Sequence, residues 1–340
     1  MAATAAANGK VRVRGVELML LPSVAPASRL DQDAVDITDF FAASRAHIVA
    51  GKGGVGKTTM TAALALVASR AGLSVLVLDV EGRPELPGLF GRPPLGFAEA
   101  TLAPGVRGRW ISADDALMEY LADHGLRRLA RTMFETGVVD VLARATPGMQ
   151  DILVLGKIKQ LERTGAADVI LVDAPASGHA ISFLRSPRGL LDAVRRGPVH
   201  TQAREVLELL TDGHRCQVLL AALPEETPVN ELVETAFSLE EDIGIKLGPV
   251  LLNGSYPQLD LPGEDDAAAL VAGRPDAGAL LEAAVFRRRR AALQARQADR
   301  LAAALPLQQL RTSFRFVPAL GPDDVDALAG ELADAIAELT

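Results

Sequence analysis

The feature that most constrains this chain is a glycine-rich loop between an apolar strand pattern and a helical one. The loop reads GKGGVGKTT over Gly51–Thr59 and fits the pattern G-x-x-x-x-G-K-[ST]. Its glycines allow successive backbone N–H groups to turn toward phosphate oxygens, and the helix that follows would present its positive N-terminal end to the same anion. The sequence therefore predicts a phosphate-binding loop at the start of a helix.

The residue types within the loop suggest the role of each group. Lys57 is spaced to reach the outer phosphates of a nucleotide, and the hydroxyl of Thr58 is spaced to ligate Mg²⁺. The residues predicted to cradle the phosphates are Gly53, Gly54, Val55, Gly56, Lys57, Thr58 and Thr59.

The elements on either side of the loop predict a parallel α/β fold. A strand at Ala46–Ala50, the loop, a helix to about Ala71 and a buried strand at Ser74–Val80 form a βαβ unit. Such units have right-handed crossovers and parallel strands. Further strands are predicted at 109–112, 168–172, 217–223, 248–252 and 314–317.

The fold predicted from these elements is an α/β P-loop NTPase with a mostly parallel sheet of about seven strands flanked by helices. Between 113 and 210 the apolar spacing is mostly helical, which indicates a helical subdomain inserted into the sheet. We expect residues 1–44 to form an N-terminal tail or extension, and residues 45–340 to form a single domain.

Two polar residues follow apolar strands at the edge where a ligand of the loop would lie. Asp173 ends the strand pattern at 168–172, and an aspartate there can hold a Mg²⁺-bound water. Asn253 ends the pattern at 248–252, and its amide offers adenine both a donor and an acceptor. The alternative for Asn253 is a purely structural role at the end of its strand.

Charge and composition exclude several classes of function. The net charge of −8 and the pI near 5.3 argue against a nucleic-acid partner, because nucleic-acid binders carry a basic face. No apolar run approaches the roughly 18–20 residues of a membrane helix, so we expect a cytoplasmic protein that is not an integral membrane protein. The one cysteine, Cys216, excludes an internal disulfide and a CxxC zinc motif.

The loop with its additional lysine, KGGVGKTT, resembles the deviant Walker A signature of an ATPase family that includes MinD, ParA, the nitrogenase iron protein and the ArsA-type ATPases. In that family the additional lysine crosses a dimer interface and contacts the partner's nucleotide. The resemblance therefore implies ATP and Mg²⁺ as cofactors and dimerisation over ATP. It also implies catalytic roles for Lys57 within the chain and for Lys52 across the dimer.

A second segment points to one branch of that family. Asp173–His179 reads DAPASGH and resembles the switch II motif DTAPTGH of the ArsA-type branch, which contains anion-transporting and tail-anchored-protein targeting ATPases. The resemblance implies that Asp173 binds Mg²⁺ through water, and that Asn253 and the loop at Pro318 contact adenine. Together, Glu81–Arg83 and Gly197–His200 are most similar to actinobacterial ArsA-like ATPases, which occur as paralogous pairs.

The first switch segment departs from the branch pattern. Glu81 stands where the branch has the aspartate that orients the attacking water, and Asp79 matches the first acid of the Asp-x-Asp pair of MinD-like members. Both are therefore candidate catalytic residues. The glutamate carboxylate lies one methylene further out, and a misplacement of about 1 Å can cost on the order of 10²-fold in rate. Low turnover is therefore expected.

Two hypotheses for the function follow. In the first, the chain is a Mg²⁺-dependent ATPase that dimerises over ATP and couples nucleotide state to movement of the helical subdomain. In the second, it is a weakly hydrolysing or non-hydrolysing scaffold subunit of a heterodimer with a paralogous ATPase. The partner is thus a second copy or a paralogue, and a hydrophobic or membrane-protein client is left open.

Two further features of the sequence bear on function. Cys216 stands alone, whereas ArsA proper binds arsenite through several thiolates, so arsenite sensing is not expected. The run Arg287–Arg290 is interpreted as a solvated helix face, with contact to an acidic partner or to lipid headgroups as the alternative.

Overall fold

The computed structural model describes residues 10–13, 16–19, 35–123, 148–175, 178–257, 259 and 262–339. The chain divides into a unit before Val35 and a large unit from Val35 to Leu339. In the first unit, strands β1 (Lys10–Val13) and β2 (Val16–Met19) pair antiparallel. The large unit begins before the predicted boundary at 44/45 because its first helix buries Phe40 and Phe41.

The large unit alternates strands and helices along most of its length. Its strands are β3 (Ala46–Gly51), β4 (Val75–Asp79), β5 (Ala100–Ala103), β6 (Val106–Trp110), β7 (Val169–Asp173), β8 (Cys216–Ala222), β9 (Val250–Ser255) and β10 (Gln309–Ser313). Its described helices are α1 (Ile37–Ala42), α2 (Lys57–Arg70), α3 (Glu85–Gly88), α4 (Ala113–Asp123), α5 (Met149–Thr164), α6 (Gly178–Ala193), α7 (Pro198–Thr211), α8 (Glu226–Ile243), α9 (Glu264–Val271), α10 (Ala277–Ala304) and α11 (Pro322–Ala337).

The eight described strands of the large unit form one sheet in the order β10-β9-β8-β3-β7-β4-β6-β5. Neighbouring strands are parallel except for the edge pair β5–β6, so the predicted mostly parallel α/β fold is confirmed. The sheet has one strand more than the approximate count from the sequence. The additional strand is β5, which is short and half exposed and therefore lacks the apolar run of a central strand.

Each face of the sheet supports its own hydrophobic core. On one face, α1, α2 and α11 pack over residues such as Val49 and Val77. On the other face, side chains of α4–α8 and α10 pack over residues such as Ile48 and Leu78. This alternation follows from the period of two in a strand, and it explains why the central strands are apolar at nearly every position.

Most of the helices predicted as a subdomain at 113–210 lie on this second face, where α4 packs on α5 and α6 packs on α7. The central strand β7 interrupts the range, so these helices flank a strand of the sheet itself. Residues 124–147, which belong to the same predicted range, lie outside the described residues.

One predicted strand, at 314–317, is wrong. The strand is β10 at Gln309–Ser313, which has Leu310 as its one apolar residue and therefore gives a weaker signal than the more apolar segment after it. Phe314, Phe316 and Val317 are instead exposed at the end of that strand. Among the described helices, none is long and apolar enough to cross a bilayer.

Candidate functional site

The glycine-rich loop connects β3 to α2 at the carboxyl edge of the sheet. Gly54 and Gly56 have φ values of 83° and 91°, in the left-handed region that favours glycine, and they turn the chain into the first residue of α2. Gly51 lies so close to β8 that a Cβ atom there would be 2.3 Å from the carbonyl oxygen of Ala221. The glycines are therefore required by the path of the loop and by its contact with the sheet.

Lys57 begins α2 and folds back over the loop. Its Nζ donates to the backbone carbonyl of Lys52 at 3.3 Å, and the residue is buried. Burial lowers the pKa of Lys57, while the nearby charges of Asp173 and Glu81 act in the opposite direction. A buried cation held above a helix N-terminus is suited to an anionic ligand.

Thr58 and Asp173 meet in the centre of the site. The Thr58 hydroxyl donates to Asp173 Oδ2 at 2.7 Å, because β7 lies beside β3 and ends at Asp173. The second carboxylate oxygen, Oδ1, is buried and has no hydrogen-bond partner among the residues that the structure describes. Burial raises the pKa of Asp173 to about 7, against the effect of the Thr58 hydrogen bond.

These oxygen atoms fit a hard divalent cation. Mg²⁺ is bound in such sites by one or two protein oxygens together with waters and substrate phosphates. The Thr58 hydroxyl and the unpartnered oxygen of Asp173 provide donors of this kind. Within the described residues no group of three or more His, Cys, Asp or Glu side chains could hold a metal ion without such additional ligands.

Asp79 organises the segment that follows β4. Its Oδ1 accepts hydrogen bonds from the backbone N–H groups of Glu81 at 2.9 Å and Gly82 at 2.8 Å. Its Oδ2 is buried, and no described residue forms a hydrogen bond with it. Burial raises the pKa of Asp79. Gly82 has φ 68°, and a Cβ there would lie 2.5 Å from the Trp110 ring. Asp79 thus fixes the backbone of the predicted switch segment.

Glu81 lies beside this turn, and its side chain is 30% exposed. Its Oε1 is 3.3 Å from the Arg83 guanidinium. The charges of Glu81 and Asp79 both act on the pKa of Asp173, which places the three carboxylates in one electrostatic cluster with Lys57. The structure therefore brings together the acids that the sequence singled out.

Lys52 behaves differently from Lys57. Its ammonium group forms an ion pair with Glu231 on α8, and both side chains are more than a third exposed. It therefore points out of the loop toward the surface.

The two residues predicted to contact adenine lie near the carboxyl ends of the two strands β9 and β10. Asn253 Nδ2 donates to the carbonyl of Val55 at 2.9 Å, and its Oδ1 accepts from the Thr312 hydroxyl at 3.0 Å. Pro318 is exposed in the segment that follows β10. Val55 and Thr59 are buried, whereas Gly53 and Gly54 are exposed and leave the loop accessible.

Sequence reasoning missed three residues that contact the site. Thr312 holds the amide of Asn253, Arg83 pairs with Glu81, and Glu231 pairs with Lys52. Arg83 is two residues from its partner, and that spacing could have identified it. Glu231 and Thr312 carried no such signal, because each lies far along the chain from its partner.

A parallel sheet with a glycine-rich loop between its central strand and the next helix, beside a lysine, a threonine and a strand-end aspartate, defines a P-loop nucleotide-binding protein. Residues 44–197 match the family described as "Anion-transporting ATPase". The chain is 35% identical over 262 residues to ATPase BagA of Mycobacterium tuberculosis, a match that covers 71% of this chain and 76% of that protein.

A second relative is ATPase get3 of Schizosaccharomyces japonicus. It is 30% identical over 152 residues, which cover 44% of this chain and 45% of that protein. The chain therefore belongs to the ArsA-type family of anion-transporting ATPases, as the motifs predicted.

Proposed function

We propose that the chain is a Mg²⁺-dependent ATPase that dimerises over ATP and couples nucleotide state to movement of helices. The observation that carries this proposal is the 2.7 Å hydrogen bond between Thr58 and Asp173, beside a buried Lys57. It joins the two residues that a P-loop enzyme uses to bind Mg²⁺, one directly and one through water. Membership of a family of ATPases supports the same activity.

The side chains divide the work in the following way. Backbone N–H groups from Gly53 to Thr59 and the ammonium group of Lys57 bind the phosphates and neutralise charge that develops on the γ-phosphate. Thr58 and Asp173 would hold Mg²⁺, which supplies further positive charge at the phosphate oxygens when bound. Glu81 orients the attacking water, and Asp79 holds the backbone of that segment in place.

Lys52 completes the site from the other subunit of the dimer. Its exposed ammonium group points out of its own phosphate loop toward the surface, which supports a role across an interface. The dimer would be a homodimer or a heterodimer with a paralogue.

Movement of helices would begin at the ends of β4 and β7. Asp173 ends β7, and helix α6 begins at Gly178, so a change at the γ-phosphate reaches the helices on that face through a short segment. Order and disorder of such segments is how nucleotide switches act in other P-loop proteins. A hydrophobic or membrane-protein client could respond to this movement.

The test is ATP hydrolysis by the purified chain with and without Mg²⁺, with the mass in each nucleotide state determined by light scattering. Lys52→Ala is compared with Lys246→Ala, which removes an exposed lysine elsewhere. We expect the wild type and Lys246→Ala to hydrolyse ATP in a Mg²⁺-dependent way and to form an ATP-dependent dimer. Lys52→Ala should lose both the hydrolysis and the dimer. A monomeric protein that hydrolyses ATP equally well in both variants would contradict the proposal.

A second candidate is the weakly hydrolysing scaffold subunit, and the Arg83–Glu81 contact at 3.3 Å favours it. A carboxylate that pairs with arginine is less available to orient water. Glu81→Asp and Arg83→Ala separate the two candidates. A large gain in rate in either variant supports the scaffold, whereas unchanged or reduced rates support a working ATPase.

A further inference from the structure

The Lys52–Glu231 ion pair connects the phosphate loop to helix α8, which comes much later in the chain. The two residues are 179 positions apart, and the contact is made through Glu231 Oε1. The other carboxylate oxygen of Glu231 is buried and has no hydrogen-bond partner in the described part of the chain. Glu231 is therefore partly enclosed, and Lys52 supplies its only described charge partner.

Glu231 is held in place more firmly than Lys52. Near the start of α8, Glu225 pairs with Arg290, and Asn230 accepts a hydrogen bond from Arg300 at 2.7 Å. Both arginines belong to α10, so two helices hold the glutamate in place. Lys52 has a flexible four-carbon stem on an exposed loop, so it is the group that would move when the pair opens.

We infer that Glu231 is a positioning residue that holds Lys52 within its own subunit and competes with ATP-dependent dimerisation. This inference rests on the proposed role of Lys52 across the dimer. An ammonium group paired with Glu231 is held against α8 of its own subunit, and on this proposal it leaves that glutamate when it reaches a phosphate in the partner subunit. Each subunit must therefore open its own pair before the dimer closes.

The size of the effect follows from the exposure of the pair. Exposed ion pairs of this kind shift an equilibrium by about 1.4- to 5-fold. A symmetric dimer opens two of them, so removing Glu231 should lower the dimer Kd by about 2- to 25-fold. Salt screens exposed charges, and the advantage should vanish near 1 M salt, where the Debye length is about 3 Å.

The experiment measures the dimer Kd in ATP and Mg²⁺ by sedimentation equilibrium, at low and at high salt. Glu231→Gln is compared with Glu234→Gln, which makes the same change of charge at an exposed position of the same helix. Glu231→Asp, which retains the charge, reports whether charge rather than shape is responsible.

We expect Glu231→Gln, but not Glu234→Gln, to form a tighter dimer than the wild type, and only at low salt. The dimer Kd of Glu231→Asp should lie within about twofold of the wild-type value. If the dimer Kd of Glu231→Gln is equal to or higher than that of Glu234→Gln, this inference is overturned and the proposed function stays intact. A wild-type chain that stays monomeric in ATP would overturn both this inference and the homodimer form of the proposed function.

Discussion

The side-chain amide of Asn253 donates to the backbone carbonyl of Val55 at 2.9 Å, although 198 residues separate the two in the chain. The Thr312 hydroxyl donates to the other end of the same amide. Strands β9 and β10 thus hold the phosphate loop in place. The loop geometry depends on Asn253 and Thr312, which follow it by some two hundred positions or more. A role of Asn253 toward adenine would have to coexist with this structural one.

Replacing Asn253 with alanine should therefore destabilise the loop as well as weaken nucleotide binding. The change removes the amide partner of the Val55 carbonyl and leaves the Thr312 hydroxyl with only the weak contact to the Met60 sulfur at 3.6 Å. A buried unsatisfied polar group costs about 1–3 kcal/mol. Urea unfolding of the nucleotide-free protein, followed by the fluorescence of Trp110, measures this cost directly. A loss of ATP affinity with an unchanged unfolding midpoint would assign Asn253 to adenine alone.

The glycines of the loop should differ sharply in their tolerance of a side chain. A Cβ at Gly54 meets nothing within 4 Å, so Gly54→Ala carries only the cost of φ 83°, about 1 kcal/mol. Gly51→Ala places its Cβ 2.3 Å from a backbone oxygen of β8, which cannot shift without disturbing the pairing of β3 with β8. We expect Gly51→Ala to be the more destabilised protein in urea. Equal unfolding midpoints would show that β8 yields to the methyl group.

The single thiol should be unreactive in the folded protein. Cys216 is buried at the start of β8, and burial raises its pKa to about 12, so almost no thiolate exists near neutral pH. We expect modification by a thiol reagent such as DTNB only as fast as the protein unfolds, with the rate rising in urea. Rapid labelling of the native chain would contradict this, and would reopen the question of metalloid binding through sulfur.

Sequence reasoning located the elements whose signal is local in the chain. The pattern of Gly51–Thr59 lies in local spacing, and strand β7 with Asp173 at its end is a continuous apolar run followed by one acid. The βαβ unit around the loop and the parallel sheet follow from the same kind of signal. Each of these features was identified from the sequence and lies as predicted.

Sequence reasoning failed where the signal is tertiary. Strand β10 has only one apolar residue, Leu310, over Gln309–Ser313, and its position is set by pairing with β9 rather than by a hydrophobic run. The residues Glu231 and Thr312 become part of the site only when distant strands and helices meet. The pairing of Glu231 with Lys52 has no local pattern that a sequence could reveal.

His47 should make the stability of the protein depend on pH. It is fully buried on β3, and burial lowers its pKa from 6.5 to about 4. The unfolded chain binds a proton at this imidazole near pH 6.5, whereas the folded chain does not. The contribution of His47 to the free energy of unfolding is therefore fully present above that pH. It falls by about 2 kcal/mol between about pH 7.5 and 5.

Urea unfolding at several pH values measures the effect of His47 when the wild type is compared with His47→Gln, which has no group that titrates in this range. The comparison is necessary because Asp173, with its raised pKa, contributes with the opposite sign in the same range. Parallel pH profiles for the two proteins would show that the imidazole does not contribute.

The hydrogen bond between Thr58 and Asp173 leads to the sharpest prediction about the cofactor. Thr58→Ala removes the hydroxyl, whereas Thr58→Ser retains it with nearly the same position on α2. Since the hydroxyl proposed to bind Mg²⁺ is lost only in the alanine variant, we expect its apparent Mg²⁺ affinity in an ATP hydrolysis assay to fall by about 10–100-fold. The serine variant should stay near the wild type.

Asp173→Asn tests the other half of this pair, because an amide is a neutral and weaker partner for a metal-bound water than a carboxylate. It should also raise the Mg²⁺ concentration required for half-maximal hydrolysis, while binding of ATP in the absence of Mg²⁺ changes little. Equal Mg²⁺ requirements in the wild type, Thr58→Ala and Asp173→Asn would show that the cation is held elsewhere. The 2.7 Å contact would then be only a structural hydrogen bond between α2 and β7.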